Sequence, residues 1–529
     1  MSNNYVLAMY DVRGKQSYIF RNNHMREIIG ASGIIRDVFT SYLYDAAKEY
    51  RDSRLDGQPD TGQTAILNLQ KTGNDEPKVE TFSREDFISR MNNDLYVGEM
   101  IYDGGGNFFV LYKDKETACQ INKLFSKKVI EETDTLKVLS TYIENVNFDD
   151  YKADQKRLYS KHEVLSSKNN FELPSLVLPI VQVDNNTSMP LTDRSEYYKG
   201  NSDDNKVTYE SFAKYEKYGE ILKNDVLAGF NNFSEGEKFL DKLVEEKGNE
   251  SLLAIVYIDG NNMGAAVQEC LKDKRSYEDC IKELRRFSKE IQSSFVEEGI
   301  KAINEELKKK YATRKYGKER RIVVFAGDEI NFIVNARDAY DAVKAYFASL
   351  KQVNQNYSAC AGISIFHSHA PYSDAYRIAE ECCESGKKRM KEEKISRAFY
   401  VDYQYNQGAI GLELESIRRK DDRYFDDQEK GLISKPWLYE GDDVKTVFTT
   451  ENVEEMAKQL NKIGRSNVKT LVNAAKKSLN DFDMEVQRIY AHSEQTIDFS
   501  LNNTLKINDQ RKLIYDVGLV YDLWFRKDN

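Results

Sequence analysis

Residues Arg320–Asn335 read RRIVVFAGDEINFIVN, an apolar run, a tight acidic turn and a second apolar run. Two short apolar runs separated by a Gly-containing turn predict a β-hairpin. This hairpin carries the carboxylates of Asp328 and Glu329 at its tip. An acidic tip is equally typical of a solvated turn, because Gly and Asp are ordinary turn residues. The hairpin alone therefore does not indicate a function.

A second acidic segment strengthens the pattern. Ser251–Gly264, SLLAIVYIDGNNMG, is an apolar run that ends in Asp259 and continues with Gly and two Asn. A charged stretch with helical periodicity separates it from the hairpin. Strand with Asp, helices, then a hairpin with Asp-Glu is the order in which a palm-type nucleotidyltransferase assembles its metal ligands. Such hard oxygen ligands suit Mg²⁺ or Mn²⁺ in phosphoryl transfer, so the candidate catalytic and metal-binding residues are Asp259, Asp328 and Glu329.

Composition sets the outer limits. The 529 residues are 40% apolar and 31% charged, with a formal net charge of −10, which predicts an ordinary globular protein of roughly three domains. The negative charge argues against a protein that wraps nucleic acid over much of its surface. No apolar run reaches the length of a membrane span, and the N-terminal segment lacks signal-peptide features. We therefore expect a cytoplasmic protein.

The N-terminal part repeats the same order of elements. Tyr5–Tyr10 predicts a strand that runs into Asp11, and a helical pattern follows. Gly98–Asp114, GEMIYDGGGNFFVLYKD, predicts a second hairpin with a glycine-rich turn. We interpret the two halves as a diverged internal repeat. Consecutive glycines permit close backbone approach and an anion-binding nest of N–H groups, although a flexible turn has the same composition. The turn residues are Gly104, Gly105, Gly106 and Asn107.

The elements from Leu252 onward follow the order β, α, α, β, β, α, β, which is that of a ferredoxin-like palm. The predicted helix at Tyr372–Lys394 carries Lys387, Lys388 and Arg389 towards its end. Such cations either reach a triphosphate or complement the helix C terminus. Residues Ala398–Gly411 predict an edge strand and a turn.

We predict an α+β fold with two ferredoxin-like palm domains (βααββαβ) and a helical C-terminal region. The predicted divisions are a first palm at 1–150, a connecting region at 151–249, a second and catalytic palm at 250–405, and a mainly helical region at 406–529.

Taken together, these segments resemble the large polymerase-like subunit of type III CRISPR effector complexes and, more generally, proteins with that subunit's second palm domain. The resemblance spans about residues 5 to 405 in family order. The segments that carry it are DVRGKQSYIF with IIGAS, YDGGGNFFVLY, DGNNMG, AGDE, and CAGISIFH followed by AEECCESGKK.

The resemblance implies that the two palms face one another, that the second binds a nucleoside triphosphate with Mg²⁺ or Mn²⁺, and that the first helps to hold another. It implies synthesis of a cyclic oligonucleotide second messenger, a cyclic oligoadenylate or a cyclic dinucleotide made from triphosphates such as ATP. The product acts in antiphage defence through a downstream effector that binds it. The implied nucleotide-binding residues are Ser32, Gly104, Gly105, Gly106, Asn107, Asn261, Asn262, Gly327 and Lys387.

The sequence also departs from the family pattern. Ala326 replaces the first Gly of GGDD, and Asn261 replaces the second Asp of D-x-D, where we expect it to contact ribose or base. No His-Asp dipeptide occurs, so we expect the family's HD nuclease domain to be absent. Two alternatives stay open: a non-catalytic scaffold subunit with RNA and protein partners, and a sensor that binds nucleotide without turnover.

Overall fold

The computed structural model describes residues 4–22, 24–55, 64–69, 81–104, 106–168, 180–192, 206–224, 243–244, 252–312, 320–405, 432–442, 444–493 and 495–526. The predicted site residue Gly105 lies outside these ranges. The chain divides into two compact units, one of Met1–Asn232 with Met263–Gln292 and one of Phe233–Asn262 with Ser293–Asn529. Within the described residues no helix has the length and apolar character needed to cross a membrane.

The first unit is built on a five-stranded sheet with the order β2-β3-β4-β1-β5. Its first strand pairs antiparallel with both β4 and β5, and the apolar run of this central strand is buried on both faces. The strands are β1 (Val6–Arg13), β2 (Ile66–Leu67), β3 (Gly98–Gly104), β4 (Asn107–Tyr112) and β5 (Lys137–Glu144).

Helices of the first unit surround this sheet, and two of them cross in close contact. An ideal Cβ on Gly30 would lie 1.8 Å from the carbonyl oxygen of Lys214, so the glycine of IIGAS allows the two helix backbones to approach. The helices are α1 (Lys15–Ile19), α2 (Met25–Val38), α3 (Tyr44–Arg54), α4 (Arg84–Met91), α5 (Lys115–Thr133), α6 (Tyr151–Lys168), α7 (Tyr209–Asn224), α8 (Met263–Cys270) and α9 (Tyr277–Ile291); a two-stranded ribbon pairs β6 (Leu191–Thr192) with β7 (Val207–Thr208).

Helices α8 and α9 follow Asp259 closely in the sequence, yet they belong to the first unit. Arg285 of α9 donates from Nη2 to Glu99 Oε1 at 2.9 Å and from Nε to the carbonyl oxygen of Ile101 at 3.1 Å. Both charged side chains are over 90% buried. Loss of either partner would therefore leave an unpaired charge in the interior. This ion pair fixes α9 against β3.

The second unit is built on a six-stranded sheet with the order β13-β12-β11-β8-β10-β9. Four consecutive strands of this sheet, β11-β8-β10-β9, match β5-β1-β4-β3 of the first unit, so both sheets have the ferredoxin-like order. The predicted repeat is therefore present. The strands are β8 (Leu252–Gly260), β9 (Arg321–Ala326), β10 (Glu329–Asn335), β11 (Ala359–His367), β12 (Ala398–Tyr405) and β13 (Trp437–Gly441).

The helical C-terminal region is present and packs on the second palm. Trp524 stacks on Tyr340 with ring centroids 5.2 Å apart and donates from Nε1 to the carbonyl oxygen of Ala336 at 2.8 Å. The helices of this unit are α10 (Glu298–Tyr311), α11 (Ala339–Val353), α12 (Tyr372–Glu393), α13 (Thr450–Asn461), α14 (Gly464–Lys477), α15 (Leu479–His492) and α16 (Ile507–Leu519). The expectation of an edge strand at β12 is wrong, because β13 pairs with its outer side.

Candidate active site

The acidic hairpin forms as predicted. Ala326 and Glu329 pair across a two-residue turn of Gly327 and Asp328, and Gly327 has a φ of +65°. A side chain at this φ would be strained. Among the described residues, no atom lies within 4 Å of an ideal Cβ on Gly327, so this side of the tip is open to the approach of a ligand.

Two of the three predicted carboxylates are direct cross-strand neighbours. Glu329 of β10 lies opposite Asp259 of β8 in the antiparallel register, where side chains of a pair lie on the same face. Asp328 reaches the same place from the turn. Its Oδ2 would lie 2.8 Å from an ideal Cβ on Gly260, so the glycine after Asp259 makes room for this carboxylate. In the sequence, the glycine directly after Asp259 is the feature that could have indicated this contact.

The electrostatic environment of the cluster is strongly negative. Burial and repulsion from Asp259 raise the pKa of the Asp328 carboxyl well above its usual range. Burial, followed by repulsion from Asp259, also raises the pKa of Glu329 to about 7, against a smaller opposing effect of a hydrogen bond from Tyr376. Negative charge is therefore incompletely compensated here, which is the condition that a cation relieves.

Helix α12 supplies two further side chains to the cluster. Tyr376 donates from its hydroxyl to Glu329 Oε1 at 3.2 Å, and Lys387 Nζ lies 2.5 Å from Asp259 Oδ2. The two residues are eleven apart, or about three helical turns, and so share a face of the helix. Lys388 and Arg389 instead pair along the helix with Glu392 and Glu393. Only Lys387, of the three predicted cations, enters the site.

The donor set fits a hard divalent cation. Within the part of the chain that the structure describes, no three acidic, His or Cys side chains form a ready-made metal cage. Magnesium commonly binds through one or two carboxylates and completes its coordination with water and substrate phosphates. Asp259 and Asp328 meet that requirement, because their oxygens lie at the same tip and their charges repel one another. These two carboxylates could hold the metal together with a triphosphate, and the metal role predicted for Glu329 stays a prediction.

The two asparagines that follow Asp259 both make hydrogen bonds within the second palm. Asn261 is 7% exposed, and its amide donates to Ser358 Oγ at 3.0 Å and to the carbonyl oxygen of Ala398 at 2.9 Å. Both amide hydrogens are thus engaged, whereas Asn261 Oδ1 has no hydrogen-bond partner among the described residues. The contact of Asn261 with ribose or base stays a prediction. Asn262 is exposed and donates to the carbonyl oxygen of Ser396 at 3.0 Å.

The remaining predicted residues lie in the first unit. Gly104 and Asn107 pair across the glycine-rich hairpin, and Gly106 has a φ of +79°. An ideal Cβ on Gly106 would lie 2.0 Å from Lys15 Nζ, so a cation rests against this turn. Ser32 is half-buried on α2. The sequence analysis missed Lys15, although it stands four residues after Asp11 in DVRGK.

Comparison with known proteins agrees with this geometry. Residues 252–396 match the family model described as Cas10/Cmr2, second palm domain. No curated protein matches the chain. Among solved structures, a Csm1–Csm4 cassette in complex with cA4 is 12% identical, with 99% of this chain and 70% of that chain covered and a TM-score of 0.50.

Csm1 in T.onnurineus is also similar, with 11% identity, 99% of this chain and 70% of that chain covered, and a TM-score of 0.49. At such identities the solved structures speak for the fold alone. The family model covers the segment that contains Asp259, Asp328, Glu329 and Lys387. Residues 252–396 are therefore similar to the second palm domain of Cas10/Cmr2 proteins.

Proposed function

We propose that this chain is a palm-type nucleotidyltransferase that joins nucleoside triphosphates, with ATP as the expected substrate, into a cyclic oligonucleotide. The observation that carries the proposal is the meeting of Asp259, Asp328 and Glu329 at the strand ends of the second palm, where the pKa values of Asp328 and Glu329 are raised. The family match and the cA4 bound to the Csm1–Csm4 cassette support it.

In this proposal a hydroxyl of one nucleotide attacks the α-phosphate of the next, pyrophosphate leaves, and repetition with ring closure gives the cyclic product. When bound, a Mg²⁺ or Mn²⁺ would lower the pKa of the attacking hydroxyl and offset charge on the phosphate. Asp259 and Asp328 would hold that cation, with Glu329 as a further ligand that Tyr376 keeps in place. The Lys387 ammonium, which pairs with Asp259 in the protein without nucleotide, then pairs with the triphosphate instead.

The glycine-rich hairpin of the first unit is the proposed binding element for a second nucleotide. Its turn has a left-handed Gly106 and a neighbouring cation, Lys15. Backbone N–H groups in such turns bind phosphate oxygens, and a nearby ammonium adds to the attraction. Gly104 also needs to be glycine, because an ideal Cβ there would lie 2.0 Å from the Tyr102 hydroxyl.

A second candidate function is a scaffold subunit in an RNA-guided complex. The observation that favours it is the likeness to Csm1 of the Csm1–Csm4 cassette over 99% of this chain. Small RNA that copurifies with the protein, together with no conversion of any triphosphate, would support this candidate over the first.

The test is incubation of the purified chain with each of the four ribonucleoside triphosphates and Mg²⁺ or Mn²⁺, followed by mass spectrometry. A phosphatase-resistant product whose mass fits a cyclic oligonucleotide is expected from one of them, and its mass names the base. Saturable binding of a triphosphate without any product, whether or not RNA is added, would contradict catalysis. That result would favour a sensor that binds nucleotide without turnover.

A further inference from the structure

The interior beneath the acidic hairpin contains a phenol that the proposed chemistry does not use. Tyr346 of α11 is fully buried, and its hydroxyl has no hydrogen-bond partner among the described residues. Buried hydroxyls in native proteins are nearly always paired, and an unpaired one often serves a site. Phenylalanine would fill the same space without this hydroxyl, so its presence needs an explanation.

The packing links Tyr346 to Asp328 through one helix that touches both of their surroundings. An ideal Cβ on Gly299 would lie 2.3 Å from the Tyr346 ring, so the glycine accommodates the phenol. Phe295, four residues earlier on the same helical face, lies 3.0 Å from an ideal Cβ on Gly260, where Asp328 also lies. The helical face that carries Phe295 and Gly299 therefore contacts both Gly260, which lies beside Asp328, and the ring of Tyr346.

The electrostatics point the same way. Burial is the main cause of the strongly raised pKa of Tyr346, and the carboxylates of Asp328 and Asp259 raise it further. A phenol hydroxyl can donate a hydrogen bond to a carboxylate oxygen.

Tyr340 provides a matched comparison on the same helix. It is also buried, and its hydroxyl also lacks a hydrogen-bond partner among the described residues. Its ring packs against Trp524, and the acidic groups that act on it are Glu454 and Asp341. Tyr340 thus shares the cost of an unpaired hydroxyl but has no connection with the cluster.

We propose that Tyr346 is a positioning residue for Asp328: when a divalent cation binds at the hairpin tip, the phenol donates a hydrogen bond to the Asp328 carboxylate. One carboxylate oxygen then faces the cation and the other accepts from Tyr346, as outer hydrogen bonds commonly orient metal-bound carboxylates. The inference rests on the proposed function, because it requires a cation at Asp328.

The experiment is a Mn²⁺ titration of the full chain followed by electron paramagnetic resonance of free Mn²⁺. It compares the wild type with Tyr346→Phe, Tyr340→Phe and Asp328→Asn. Without metal, both Phe variants should unfold at slightly higher urea, because each loses an unpaired buried hydroxyl. Only Tyr346→Phe should weaken Mn²⁺ binding, by about 10-fold or more.

Equal Mn²⁺ affinity in Tyr346→Phe and Tyr340→Phe, with binding lost in Asp328→Asn, would overturn the role of Tyr346 and leave the proposed metal site intact. Wild-type binding that survives in Asp328→Asn would overturn the metal site itself, and the positioning role with it. The urea curves identify a variant that is simply misfolded.

Discussion

Lys387 is predicted to compete with the metal for Asp259. Its ammonium lies 2.5 Å from Asp259 Oδ2, and the two side chains are 18% and 23% exposed. In the protein without nucleotide, this ammonium occupies the carboxylate that the cation requires. Lys387→Met should therefore free Asp259 and strengthen Mn²⁺ binding, while weakening the binding of a triphosphate.

The size of the effect follows from Coulomb's law. For charges about 4 Å apart in a partly buried site, with an effective dielectric constant of roughly 40, the attraction is about 2 kcal/mol. That free energy corresponds to about a 30-fold change in an equilibrium constant. Salt should reduce the effect only modestly, because the pair is mostly shielded from solvent.

The assay is a Mn²⁺ titration without nucleotide, followed by a titration with a non-hydrolysable ATP analogue. Lys388→Met is the matched control, since Lys388 is the next residue but is 75% exposed and faces Glu392. It removes the same charge without touching Asp259. If Lys387→Met bound Mn²⁺ no more tightly than wild type, or if Lys388→Met matched it, the competition would be refuted.

Three further predictions concern the packing and the charges of the second unit. Gly299→Ala should lower the free energy of unfolding by about 1–3 kcal/mol, because its Cβ would meet the Tyr346 ring. Gly264→Ala should not lower this free energy, because no described atom lies within 4 Å of its Cβ. Equal urea midpoints for Gly299→Ala and Gly264→Ala would contradict this prediction. In the metal-free protein, the free energy of unfolding should fall as pH rises from about 5 to 7. Folded Glu329 has a pKa of about 7 against an ordinary 4.5, so between these pH values it keeps a proton that the unfolded chain has lost. The raised pKa of Asp328 acts in the same direction. Glu329→Gln should make the pH dependence shallower, and an unchanged slope would show that Glu329 does not contribute to it. Asn261→Ala should lower the free energy of unfolding by about 1–3 kcal/mol and leave the choice among triphosphates unchanged. An altered base preference with unchanged stability would instead support the predicted contact of Asn261 with the nucleotide.

The sequence is informative where local chemistry and chain order decide the outcome. The hairpin follows from two apolar runs around a glycine, and Gly327 does adopt a positive φ. Asp259 and Glu329 become neighbours because the antiparallel register of β8 and β10 aligns the strand end with the hairpin tip. Both were predictable from the spacing of apolar and acidic residues.

Contacts between distant segments were not predictable in the same way. An amphipathic pattern shows that α9 has an apolar face but not that Arg285 pairs with Glu99. The pattern of α12 leaves three adjacent cations equivalent, and only the fold selects Lys387. The role proposed for Tyr346 was likewise not predictable. In sequence, a buried tyrosine without a hydrogen-bond partner cannot be distinguished from any other core aromatic residue.

The most direct measurement of the central claim is the rate of phosphatase-resistant product formation from radiolabelled ATP with Mn²⁺, for wild type and Asp328→Asn side by side. Matching urea unfolding curves would show that both proteins are folded. Metal-assisted charge stabilisation contributes several kcal/mol, so the account predicts a loss of at least about 100-fold in Asp328→Asn. A product made at equal rates by both proteins would contradict the assignment of the acidic hairpin as the catalytic site.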